Sequence, residues 1–89
     1  MRILIADDEE IIRYALDKIL KTVSGYETDM AEDGEEVIRK VKSSHYDAVL
    51  LDIEMPKLNG YETLKQIRTF ASSLPVVFIT AVGQSKRIT

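Results

Sequence analysis

Ala48-Val49-Leu50-Leu51-Asp52-Ile53-Glu54-Met55-Pro56-Lys57-Leu58-Asn59-Gly60 decides how this chain is read. Four apolar residues run without a polar break and stop at an aspartate. Such a run suits a strand of a parallel sheet, buried on both faces. The next residues do not prolong it, because Pro56 has no donor N–H and Gly60 loosens the backbone. Asn59 then pairs with Glu62 as a helix cap, and Tyr61, Leu64 and Ile67 recur at helical spacing. The stretch therefore predicts strand, acid, loop and helix in that order.

The same alternation extends in both directions. Upstream, residues 2–6, apolar after Arg2, are a second run with β-branched members, followed at once by Asp7, Asp8, Glu9 and Glu10. Ile12, Ala15, Leu16, Ile19, Leu20 and Val23 then mark an amphipathic helix that Ser24-Gly25 ends. Residues 26–31 read as a short strand, polar enough for a sheet edge. Asp33 caps the next helix with Glu36 as its reciprocal partner, and Val37, Ile38 and Val41 mark that helix's inner side. His45 to Asp47 break the chain before the central strand. Downstream, Ser72-Ser73 mark a turn, and residues 75–80 read as a further buried strand with Pro75 at its first position. Residues 81–89 begin another element, a helix after Gly83. The order β-α-β-α-β-α-β implies a parallel sheet with right-handed crossovers in one domain, residues 1–89.

Composition narrows the function. The chain has 89 residues, 45% hydrophobic and 30% charged, a globular balance. Its net charge of −3 and pI near 5.1 argue against nucleic acid as a direct partner, which needs a clustered basic face. Lys86 and Arg87 are too few for such a patch, and Arg39-Lys40-Val41-Lys42 reads as a solvated helix face. Without cysteine there is neither a disulfide framework nor a thiolate metal site. No apolar run is long enough to span a membrane. The acids arrive too early to leave room for a signal peptide, so a cytoplasmic protein is expected.

In an open parallel sheet, ligands bind beyond the carboxyl ends of the strands. Asp7 and Asp8 end the first strand, Asp52 the third and Thr80 the fourth, so all four share one rim. If the first and third strands are neighbours, three carboxylates converge. Like charges repel, and a hard divalent cation relieves the conflict. Mg²⁺ takes oxygen ligands, uses one or two carboxylates and keeps several waters. An aspartate is also a nucleophile toward phosphorus, and a threonine hydroxyl is a donor to a phosphoryl oxygen. Each feature alone has a plainer reading: acids after a strand cap helices, and threonine favours strands. It is their combination on one rim that points to phosphoryl chemistry.

With these residues in place, the chain resembles the receiver domains of bacterial two-component response regulators. Residues 3–9 resemble their opening strand and acidic pair. Leu50 to Gly60 resembles the phosphoacceptor segment, and Val76 to Ala81 the fourth strand with its threonine and following small residue. The resemblance implies a flavodoxin-like three-layer α/β/α fold with sheet order 2-1-3-4-5. It implies that Asp52 accepts a phosphoryl group from a sensor histidine kinase or phosphotransfer protein. Asp8 and Asp52 would ligate Mg²⁺ directly, Asp7 largely through water, and Glu54 through its backbone carbonyl. The Glu54 side chain would lie at the pocket mouth, Thr80 would report occupancy and Ala81 would leave room for the phosphoryl group. The output would pass to a downstream effector domain or protein. Such a domain is not a conventional enzyme, catalysing only its own phosphorylation and dephosphorylation.

The sequence departs from the family after the fourth strand. No residue matches the lysine that ends the fifth strand, and the last helix has no counterpart, so the expected order is 2-1-3-4. Lys57 is expected to face solvent rather than replace that lysine. The chain is therefore expected to be a piece of a receiver, or a short form whose apolar fourth strand, an unpaired edge, pairs with a second copy. The alternative function is a phosphorylation-independent interaction or dimerisation module. A haloacid-dehalogenase-type phosphatase fits poorly, because Glu54 stands where that family has a second aspartate. A nucleotide-binding domain fails for want of a glycine fingerprint. His45 is expected to be an exposed residue at a helix end, and Met55 to pack the loop.

Overall fold

Each apolar run becomes a strand and each periodic run a helix. The computed structural model describes residues 1–79. The strands are β1 (Arg2–Ala6), β2 (Glu27–Ala31), β3 (Ala48–Asp52) and β4 (Val76–Ile79); the helices are α1 (Glu10–Ile19), α2 (Gly34–Ser43) and α3 (Gly60–Phe70). All strand pairs are parallel, and the order is β2-β1-β3-β4, as expected. The first crossover steps outward from β1 to β2; the next two step back past β1 to β3 and then on to β4. Right-handed connections in opposite directions put α1 on one face and α2 with α3 on the other. The result is the three-layer flavodoxin-like fold.

Alternation along β1 and β3 sorts the core. Leu4, Ala6, Val49 and Leu51 face α2 and α3 and pack with Val37, Tyr46, Met55 and Ile67. Ile3 and Ile5 are also buried and point to the α1 side. Met55 packs the loop as expected, and the His45 side chain is exposed.

Local detail differs from the sequence reading in four places. The last turn of the first helix is a π-helical segment, Leu20–Ser24, closed by Gly25 at φ 68°. Ala15 and Ile19 in α1, and Val23 in the wider turn, are exposed where burial was expected; the wider turn changes the face only of residues after Leu20, Val23 among them. The Asp33 carboxylate accepts from Glu36 N–H at 2.8 Å, but Glu36 Oε1 reaches past Asp33 to accept from Glu32 N–H at 2.8 Å. Finally, β4 is only half-buried and Val77 is exposed, because among the described residues nothing pairs with its outer edge.

Candidate functional site

The register of the two central strands builds the site. Ile3, Leu4, Ile5 and Ala6 lie opposite Ala48, Val49, Leu50 and Leu51. One further step sets Asp7 beside Asp52, both on the face that carries Ile3, Ile5 and Leu50. Asp7 and Asp52 are buried, 2% and 1% exposed, while Asp8 opens to solvent. Each of Asp7, Asp8 and Asp52 offers a carboxylate oxygen, and these oxygens lie within 4.8 Å of one another. The convergence that the sequence made conditional on strand order is therefore present.

The surroundings fix these groups. Asp7 donates its N–H to Ala31 O (3.2 Å), and its Oδ1 accepts from Glu9 N–H (2.9 Å). Its carbonyl accepts from Arg13 Nη1 at 2.7 Å. Across the site, Gly60 at the start of α3 donates to Ile53 O at 2.6 Å. A Cβ on Gly60 would stand 2.5 Å from Asp52 O and 2.8 Å from Ile53 Cα, so only glycine lets α3 approach the end of β3 this closely. Asn59 and Glu62 complete a reciprocal capping box there. Glu54 lies in the loop and is half-buried. Lys57 is exposed, as expected, with Nζ 3.6 Å from Asp33 and 3.9 Å from Glu35. Thr80, Ala81, Lys86, Arg87 and the helix start expected after Gly83 lie outside the described residues.

Two features were not read from the sequence. Arg13 is buried, 8% exposed, although a charged residue in an amphipathic helix is normally assigned to the solvent face. Its position six residues after Asp7, one turn into a helix returning under the rim, is the signal available in sequence. The second is a polar cluster away from the rim. Tyr46 Oη donates to Asp29 Oδ2 at 2.6 Å; Lys40 and Arg2 lie 3.4 and 3.6 Å from Asp29. Burial pushes the Asp29 carboxyl up, but the Tyr46 hydroxyl, the Met30 N–H and the Lys40 ammonium outweigh it and hold Asp29 below its ordinary range. Burial and the Asp29 carboxylate together push the Tyr46 phenol up to about 12.

All donors at the rim are hard oxygens. Two buried carboxylates with an exposed third match the partly open, partly hydrated coordination that Mg²⁺ prefers. Among the described residues no helix is long and apolar enough to cross a membrane.

Comparison with known proteins agrees with this geometry. The model of the response regulator receiver domain family matches residues 3–89. The response regulator MprA of Mycolicibacterium vanbaalenii is 38% identical over 81 residues, 91% of this chain and 35% of that protein. The chain thus spans about a third of the length of the curated relatives it matches. A structure of the histidine kinase ThkA in complex with the response regulator protein TrrA matches with a TM-score of 0.84 and 42% identity, covering 96% of this chain and 72% of the matched one. The receiver domain of the sensor histidine kinase PA1611 from Pseudomonas aeruginosa, solved with a magnesium ion coordinated in the active site cleft, matches with a TM-score of 0.85 and 27% identity, covering 99% and 74%.

Proposed function

The chain belongs to the response regulator receiver domain family of two-component systems, and from that premise we propose that it is a phosphorylation switch whose phosphoacceptor is Asp52. The observation that carries this reading is the meeting of Asp7, Asp8 and Asp52 within 4.8 Å at the carboxyl rim of the sheet. Asp8 and Asp52 would hold Mg²⁺ directly, Asp7 largely through water, and Glu54 by its backbone carbonyl. Bound Mg²⁺ supplies positive charge that offsets the three carboxylates and the incoming phosphoryl oxygens.

The rest is the work of the chain's own residues. The β3 backbone and the α3 N-terminus hold Asp52 in place, so one carboxylate oxygen is presented to phosphorus. In transfer from a phosphohistidine, the Asp52 oxygen–phosphorus bond forms as the phosphorus–nitrogen bond breaks. The imidazole nitrogen keeps the electron pair and takes up a proton. By the family resemblance, Thr80 would donate its hydroxyl to a phosphoryl oxygen, with Ala81 as the small residue after it. The donor is a sensor histidine kinase or phosphotransfer protein, and the reader is an effector domain or protein. The setting is the cytoplasm. Beyond acquiring and losing its own phosphoryl group, the domain catalyses nothing. The interaction-module alternative draws no support from a rim that gathers three carboxylates.

The test is incubation of the chain with Mg²⁺ and acetyl phosphate, with intact mass recorded beside Asp52→Asn. A single phosphoryl adduct on the wild type, absent from the variant and lost at alkaline pH, is the expected result. A folded protein that takes up no phosphoryl group would defeat the proposal.

A further inference from the structure

Arg13 is the one basic residue buried among the described residues, and it belongs to the same corner as two of the other buried polar groups, Asp7 and Asp52. It is also the only buried residue of α1; Ile12 and Leu16 beside it are half-exposed. Placing a guanidinium there is unfavourable by several kcal/mol unless hydrogen bonds and opposite charge compensate. Its hydrogen bond is to a main-chain oxygen. Nη1 donates to the main-chain carbonyl of Asp7, at 2.7 Å. Asp7 is thereby held at three atoms: N–H by Ala31, carbonyl by Arg13, and Oδ1 by the N–H of Glu9.

We infer that Arg13 is a positioning residue for the cation site, fixing Asp7 from behind so that the acidic cluster is assembled before the cation arrives. Gripping the carbonyl leaves the Asp7 carboxylate directed at the cluster, whereas a salt bridge to that carboxylate would compete with the metal. The fixed positive charge also eases the repulsion among the three acids. This inference builds on the proposed Mg²⁺ site and separates two opposing effects. A cation held near the site merely as a charge weakens Mg²⁺ binding by repulsion, so its removal tightens binding. A cation that positions a ligand does the reverse, because outer groups that orient metal ligands typically contribute about tenfold or more to affinity.

The experiment is calorimetric titration of the chain with MgCl₂ at fixed ionic strength, comparing wild type with Arg13→Met, Arg13→Lys and Leu16→Ala. Leu16→Ala serves as a control for loss of stability in the same helix. Arg13→Met is expected to raise the Mg²⁺ Kd about tenfold. Arg13→Lys, which keeps charge and donor, is expected to stay within about threefold of wild type, and Leu16→Ala to leave the Kd unchanged. Should Arg13→Met not fold, Arg13→Gln decides: as a neutral side chain that still donates, it is expected to raise the Kd more than Arg13→Lys and less than tenfold, and an Arg13→Gln Kd equal to or below wild type would overturn the inference. An Arg13→Met Kd equal to or below wild type, or a Leu16→Ala loss equal to that of Arg13→Met, would overturn the inference and leave the phosphoryl-switch reading standing. A wild type that binds no Mg²⁺ at millimolar concentrations would overturn both.

Discussion

Gly60 shows how much one residue settles. It carries no catalytic group, yet its missing side chain lets α3 begin against the carbonyl of Asp52 and the Cα of Ile53. Both neighbours are backbone atoms of the segment that carries Asp52, so neither yields by a rotamer change. Gly60→Ala is expected to lose about 1–3 kcal/mol, the usual range for overpacking a tight site. Urea denaturation measures that loss. The same variant is expected to slow Asp52 phosphorylation even when fully folded, because relief of the clash pushes α3 and the Asp52 segment apart. An unchanged rate in a destabilised protein would show that the approach serves packing alone.

At the scale of elements, the cluster around Asp29 ties β2 to α2, to the start of β3 and to β1. Tyr46 and Lys40 supply hydrogen bonds, and Arg2 lies both 3.6 Å from Asp29 and 5.0 Å from the centre of the Tyr46 ring. Its two titrations act at opposite ends of the pH scale. The Tyr46 phenol is raised to about 12 in the folded chain, so its contribution is fully present below its unfolded value of about 10 and is lost as pH rises from there through the folded value. The Asp29 carboxyl is lowered, so its contribution is present above its unfolded value of about 4 and fades as pH falls below that. Tyr46→Phe is expected to cost about 1–2 kcal/mol at neutral pH, the range for a hydrogen bond to a charged group in a part-exposed setting. It should also flatten the fall in stability between pH 10 and 12. Denaturation midpoints across that range test this, and an equally steep fall in the variant would refute it.

For the whole molecule, the proposed cation site at the rim would link cation binding to folding. The unfolded chain separates Asp52 from Asp7 and Asp8 by more than forty residues, so a cation held by all three binds the folded state alone. Mg²⁺ at ten times its Kd should therefore raise stability by about 1.4 kcal/mol. The gain should shrink in Asp52→Asn and vanish with excess chelator. Thermal melts with and without Mg²⁺ give the answer, and an identical shift in Asp52→Asn would mean that the cation binds elsewhere.

Much of this was legible in sequence because it depends on local pattern. The apolar runs at residues 3–6 and 48–51, the capping pair Asn59 and Glu62, and the acids placed directly after strands predict the elements, the parallel sheet and the rim that gathers the acids. A strand's burial and a helix's cap follow from neighbouring residues, so sequence alone determined them. Which strands lie side by side does not follow from neighbours. Only the tertiary structure decided that β1 pairs with β3 in the register that sets Asp7 beside Asp52. It alone also decided that a π-helical turn rolls Val23 into solvent, and that Arg13 is drawn under the rim. The reason is the same in each case. A helix period ranks residues by their own polarity, whereas burial of a charge depends on the opposite charges and carbonyls that distant segments bring to it.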